Sequence, residues 1–162
     1  MMTMVRILRN SLKLPKKQAL FALNRETMRD TMVYLLLLMT TLCLPDTIRI
    51  TYHYLNEEAG TSLDLFITQL IVLLPFIIMF LTVAGVSALA GIAYMIRTMT
   101  KRKLAYHQLW KMTGYALTLP ILIVVIMRIM EWSHWLFMLI PLGLLYILLY
   151  KMITTFPKRK SA

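Results

Sequence analysis

This sequence has almost nothing to do acid, thiol or imidazole chemistry with. Cys43 is the only cysteine, there are three histidines, and Asp and Glu together number seven in 162 residues. One cysteine excludes an intrachain disulfide and a thiolate metal cluster. Cys43 lies in an apolar run and reads as a small hydrophobe. Thr40, Thr41 and Leu42 precede it, without the small residue that a lipidated cysteine needs, and no small-residue cleavage pattern marks a signal peptide. His53, His107 and His134 follow no metal-ligand spacing. There is no G-x-S-x-G elbow, no H-E-x-x-H and no phosphate-cradling glycine loop. Glu57 and Glu58 are adjacent carboxylates in a polar stretch leading to Gly60, which reads as a solvated turn. The expectation is a protein that is not an enzyme and takes no cofactor or metal.

What the chain has instead is apolar length. It is 59% hydrophobic and only 15% charged, against about 25% charged in a soluble domain. Crossing about 30 Å of hydrocarbon takes around 20 helical residues. Four segments qualify, at about 27–44, 65–96, 104–127 and 132–150. The first is expected to stop at Pro45-Asp46, a dipeptide that returns a chain to water. The second has 32 residues without a charge, roughly 48 Å of helix. It is too long for one straight span and too short for two, so it reads as one long helix with a kink at Pro75, or a re-entrant break there. Pro120 and Pro141 lie inside the third and fourth, as membrane helices tolerate. The expected fold is all-α, an integral membrane four-helix bundle in one domain over 1–162. Residues 1–26 precede it as a cytoplasmic amphipathic segment. Met1, Met4, Val5, Leu8 and Leu12 recur there at helical spacing, with Arg6, Arg9 and Lys13 on other faces, as in a helix lying on a leaflet.

Net charge is +11, which raises nucleic acid as a partner. The cations flank the apolar runs instead of lining one face, so nucleic acid is set aside. Seven lie before the first span (Arg6, Arg9, Lys13, Lys16, Lys17, Arg25, Arg29). Five surround the middle connection (Arg97, Lys101, Arg102, Lys103, Lys111), and four are in the basic tail 151–162 (Lys151, Lys158, Arg159, Lys160). The other two connections hold Arg49 and Arg128 alone. This asymmetry puts both termini in the cytoplasm of a multi-pass cell-membrane protein. Tyr52, Tyr54, Trp132 and Trp135 then fall at the outer interface and Tyr94, Tyr106, Trp110 and Tyr150 at the inner one, where amphipathic rings belong. Arg6, Arg9, Lys13, Lys101, Arg102, Lys103, Lys158, Arg159 and Lys160 are expected to meet the headgroups of an anionic inner leaflet.

Ionisable side chains are missing from mid-span, so a proton or ion path has no candidate group. Gln69, Thr68, Thr82, Ser87, Thr113 and Thr118 read as hydrogen-bonding glue between helices. In "AGVSALAGIA", Ala84 and Ala88, and Ser87 and Gly91, are small residues four apart, a spacing that admits a close helix from this chain or a partner. With Tyr106, Gln108 and Trp110 they form the expected packing or partner interface. The functional expectation is a non-catalytic accessory or scaffolding subunit bound to another integral membrane protein. The alternative is a small transporter, or part of one, for a sugar or lipid, with the prolines breaking helices around a cavity.

Two stretches resemble a family of uncharacterised multi-pass proteins from Bacillus-like bacteria, some labelled maltodextrin-utilisation proteins, near the Yip-type membrane fold. They are "SLKLPKKQALFALN" from Ser11 to Asn24 and "KLAYHQLWKMTGYALTLPILI" from Lys103 to Ile123. Tyr106, Gln108, Leu109 and Trp110 match a Tyr-x-Gln-Leu-Trp segment. Leu117, Thr118, Leu119 and Pro120 match its Leu-Thr-Leu-Pro. The resemblance implies a bacterial membrane location and brings no active site. The outer stretch from Pro45 to Ser62 is shorter than the family pattern.

Overall fold

A computed structural model of the chain describes residues 2–56, 62–130 and 139–157. Among them there are helices and turns and no strand. In chain order they are α1 (Met2–Leu12), α2 (Lys17–Asn24), α3 (Met28–Asn56), α4 (Leu63–Thr68), a π-helical turn (Gln69–Leu73), α5 (Leu74–Met99), α6 (Tyr106–Ala116), α7 (Thr118–Ile129) and α8 (Leu139–Thr154). Three continuous helical stretches are long and apolar enough to cross a membrane: Met28–Tyr54, Leu63–Met99 and Tyr106–Ile129. Leu139–Thr154 is a shorter apolar helix. The start of the expected fourth span, with Trp132 and Trp135, lies outside the described residues, as do Glu57, Glu58 and Lys158, Arg159 and Lys160.

Thr27 starts α3. Its Oγ1 accepts from the Asp30 N–H at 3.1 Å and donates to the Asp30 carboxylate at 2.8 Å, satisfying a donor that every helix start leaves open. Asp30 thus belongs to the cap, and Arg29 beside it is exposed. The expected stop at Pro45-Asp46 is corrected: α3 continues through both to Asn56. Pro45 removes one backbone donor and frees the Thr41 carbonyl. Asp46, the charge that reads as an exit to water, stays in the helix and pairs with Arg128 of α7. Ten residues of α3 extend past that pair, about 15 Å at 1.5 Å per residue.

The second segment is one helix from Leu63 to Met99, not a re-entrant loop. Proline in a helix clashes with the carbonyl four residues back. Just before Pro75 the chain widens into the π-helical turn, and the Leu74 N–H reaches back five residues to the Gln69 carbonyl. Tyr54 and Phe66 stack at 3.9 Å between centroids, closing α3 against α4.

The third segment breaks its regular winding at Leu117, three residues before Pro120, and continues as α7. Loss of the proline donor leaves a weak point there. The Ile121 N–H to Leu117 carbonyl bond at 2.9 Å and the Thr118 hydroxyl to Tyr115 carbonyl bond at 2.8 Å hold the turn together.

The core lies at the end of the molecule where α6 begins. Leu35, Leu109, Met112, Leu149, Met152 and Ile153 are fully buried there. α1 joins this core through Ile7, and a cis Leu14–Pro15 peptide turns the chain toward α2. α1 packs on α2, α3 and α7. Of the stripe expected to touch a leaflet, Val5, Leu8 and Leu12 remain exposed, while Met4 is half-buried against the core. The packed face is instead that of Ile7 and Ser11.

Candidate functional site

Where α3 meets α6 and α7, four buried hydroxyls form two rungs. Thr31 Oγ1 and Tyr115 Oη are 2.6 Å apart, and Tyr34 Oη and Thr118 Oγ1 are 2.7 Å apart. Thr31 gives its own proton to the Thr27 carbonyl at 2.8 Å, and Thr118 gives its proton to the Tyr115 carbonyl at 2.8 Å. A hydroxyl has one proton, so both phenols must be the donors between helices. Each rung is therefore a relay, from phenol to threonine to backbone carbonyl. Both rungs join residues 84 apart in sequence. An equal offset at two successive turns means that α3 runs parallel to α6 and α7.

Beside the rungs, Lys111 is buried with 7% exposure. Its Nζ donates to the carbonyls of Asn24 at 2.8 Å and Glu26 at 3.0 Å. These follow the C-terminal end of α2, where backbone acceptors are left over and a cation is favoured. Glu26 in turn pairs with Arg6 of α1 at 2.8 Å. Lys111 ties the amino-terminal segment to the bundle, and Arg6 fastens α1 to the turn after α2.

The expected interface residues separate into two groups. Trp110 Nε1 donates to Ser87 Oγ at 3.2 Å, and Tyr106 Oη donates to the Ser87 carbonyl at 3.4 Å. Gln108 accepts from the Ala105 N–H at 3.2 Å, capping its own helix. Tyr106 and Trp110 thus bind α6 to Ser87 of α5 within the chain. Ala84, Ala88 and Gly91 sit on another face of α5 and are exposed. A Cβ added at Gly91 would meet nothing within 4 Å. On the opposite side of α5, Thr82, Val86, Ala90 and Ala93 are fully buried.

Two cavities flank α8. One of about 210 Å³ is lined only by apolar residues, among them Leu42, Leu89, Pro120, Ile121, Pro141 and Leu145. Pro120 and Pro141 thus face one space, and Pro75 does not. The other, of about 350 Å³, is lined by Met99, Thr100, Lys101, Arg102, Tyr150 and Thr154. Among the expected headgroup contacts, Lys101 and Arg102 line it, Lys103 is close in sequence, and Arg6, Arg9 and Lys13 lie on α1 and the turn after it. No three of His, Cys, Asp and Glu gather to hold a metal among the described residues.

Residues 53–153, more than half of the chain and everything from the end of α3 into α8, match a family described as proteins of unknown function, DUF1189. The chain belongs to the DUF1189 family. No curated protein and no solved structure matches it. The DUF1189 region holds Tyr115, Thr118, Lys111, the exposed α5 face and the lining of both cavities except Leu42 and Thr154. Thr31, Tyr34, Asn24 and Glu26, their partners across the interface, precede it.

Proposed function

We propose that this DUF1189 protein is a non-catalytic accessory or scaffolding subunit of another integral membrane protein. It would sit in the cell membrane by four helices, with both termini in the cytoplasm. The observation that carries the reading is the two-sidedness of α5. Val86 and Ala90 are closed off by the chain's own helices, while Ala84, Ala88 and Gly91 present a smooth face with nothing against it. Small residues let helix backbones approach closely in lipid, where packing rather than water drives association. The orientation rests on the placement of the cations, and the parallel course of α3 and α6 agrees with both starting from one side. Kinship with the Bacillus-type group labelled for maltodextrin utilisation, and with the Yip-type fold, belongs to this proposal. It rests on the two stretches at 11–24 and 103–123, the second inside the matched region.

The test is photo-crosslinking in native membranes from position 80, an exposed residue on the same face of α5, followed by mass spectrometry. A specific partner is expected, and Ala88→Leu or Gly91→Leu should abolish its capture without changing the melting temperature. A chain that cross-links to nothing and runs as a monomer in mild detergent would overturn the reading. A second reading, as a transporter or transporter component, draws on the shared cavity of Pro120 and Pro141. Its apolar lining fits hydrocarbon and offers a sugar no hydrogen bonds, so a lipid is the cargo to try. Uptake by liposomes containing only this chain, lost on changing Pro120 or Gln69, would establish it.

A further inference from the structure

We infer that the cavity between the ends of α5 and α8 is a discrete site for one anionic phospholipid, with Lys101, Arg102 and Tyr150 around its phosphate. The first argument is charge. Arg97, Lys101, Arg102, Lys103 and Lys151 crowd this end, and none of them pairs with an acid among the described residues, whose ion pairs involve Glu26, Asp30 and Asp46. Uncompensated cations around a concave space favour an anion.

The second argument is the supply of donors. Thr100 and Thr154 give their protons to the carbonyls of Ile96 and Lys151, so they line the cavity without a proton to offer. The donors left are the Lys101 ammonium, the free edge of Arg102 and the Tyr150 hydroxyl. Arg102 is held in place because one Nη donates to the Phe156 carbonyl at the end of α8. Lys101 has φ of 50°, a left-handed conformation that a residue with a side chain seldom adopts. That turn sets the ammonium-bearing residue at the rim.

The third argument distinguishes a lipid from a free phosphate compound. One helical turn back from Met99 and Tyr150, Met95 and Ile147 are exposed apolar residues on the corresponding faces of α5 and α8. A phosphate seated at the cations would have hydrocarbon walls directly behind it, which suits a molecule with acyl chains. The proposal rests on the reading that this end meets the cytoplasmic leaflet.

The test titrates the full chain in mild detergent with short-chain phosphatidylglycerol, phosphatidylcholine or glycerol 3-phosphate, and reads bound ligand by native mass spectrometry. One phosphatidylglycerol per chain is expected, with phosphatidylcholine and glycerol 3-phosphate binding far more weakly. Lys101→Gly keeps the left-handed turn and removes the ammonium. It should weaken binding by about tenfold or more, the loss of a charge-assisted hydrogen bond. Lys103→Ala, which does not line the cavity, should cost under about twofold, as expected of an exposed charge without a direct bond to the ligand. Equal losses in the two variants would overturn a discrete site in favour of diffuse attraction. Phosphatidylcholine binding as well as phosphatidylglycerol would overturn the anionic headgroup. Glycerol 3-phosphate binding as tightly as the lipid would overturn the lipid in favour of a soluble phosphate ester. Micelles have no sides, so labelling of a cysteine at position 101 from outside the cell would refute the orientation and leave the binding result standing.

Discussion

Between Leu109 and Thr118 every residue is buried, whereas α4 and the π-helical turn after it contain no buried residue at all. The exposed stretch is the more apolar of the two, while the buried one carries Lys111, Thr113 and Thr118, so the difference does not come from composition. The first is enclosed by α2, α3, α5 and α8 and carries a directional bond at almost every turn. The second projects beyond the Asp46–Arg128 pair with only α3 beside it among the described residues. The packed end is specified by the chain itself. The open end leaves its apolar surface to be covered by lipid or by another protein.

The largest expected effect comes from overfilling the packed end. A Cβ at Gly114 would lie 2.9 Å from Leu35 Cδ1 and 3.1 Å from Cδ2. Gly114→Val should therefore cost about 2–3 kcal/mol, read as a lowered melting temperature in detergent. Gly143→Val, where a Cβ meets nothing within 4 Å, should change it far less. Next come the hydroxyl rungs. Thr31→Val strands the Tyr115 hydroxyl and should cost about 1–2 kcal/mol. A double-mutant cycle with Tyr115→Phe should return a coupling of about 0.6–1.7 kcal/mol. Lys111→Met should remove about 1 kcal/mol by uncapping α2, seen as faster amide exchange over residues 17–26 with the rest of the bundle unchanged. The smallest effect is at the open end, where Ile71→Ala should stay within about 0.5 kcal/mol. A large loss there would mean that Ile71 is covered in the working protein.

Much of this was legible in the sequence, for a physical reason in each case. Apolar length and flanking cations give the long helices from Leu63 and from Tyr106, because those signals are local. The far end of α3 was not legible. Pro45 and Asp46 read as a stop, and the ion-pair partner of Asp46 in the fold, Arg128, is 82 residues away in the chain. Lys111 counted only as a topology charge, since nothing local distinguishes a lysine that caps a remote helix from one facing headgroups.

The rungs left a trace that single-residue reading passed over. Thr31 and Tyr34 are three apart, and Tyr115 and Thr118 are three apart in the opposite order. Mirrored Thr-x-x-Tyr and Tyr-x-x-Thr spacings in two apolar helices are what a pair of phenol-to-threonine bonds between parallel helices requires. Searching for such mirrored pairs would have found them. The unpartnered state of Ala88 and Gly91 had no such trace, because which side of a helix meets its neighbours depends on the neighbours.

The bond from Lys111 back to Asn24 and Glu26 also sets an order of events during synthesis. The carbonyls at the end of α2 leave the ribosome 85 or more residues before the lysine that will cover them. Until then the contact that caps α2 cannot form. The seat of α2 is completed only by a helix made long after it.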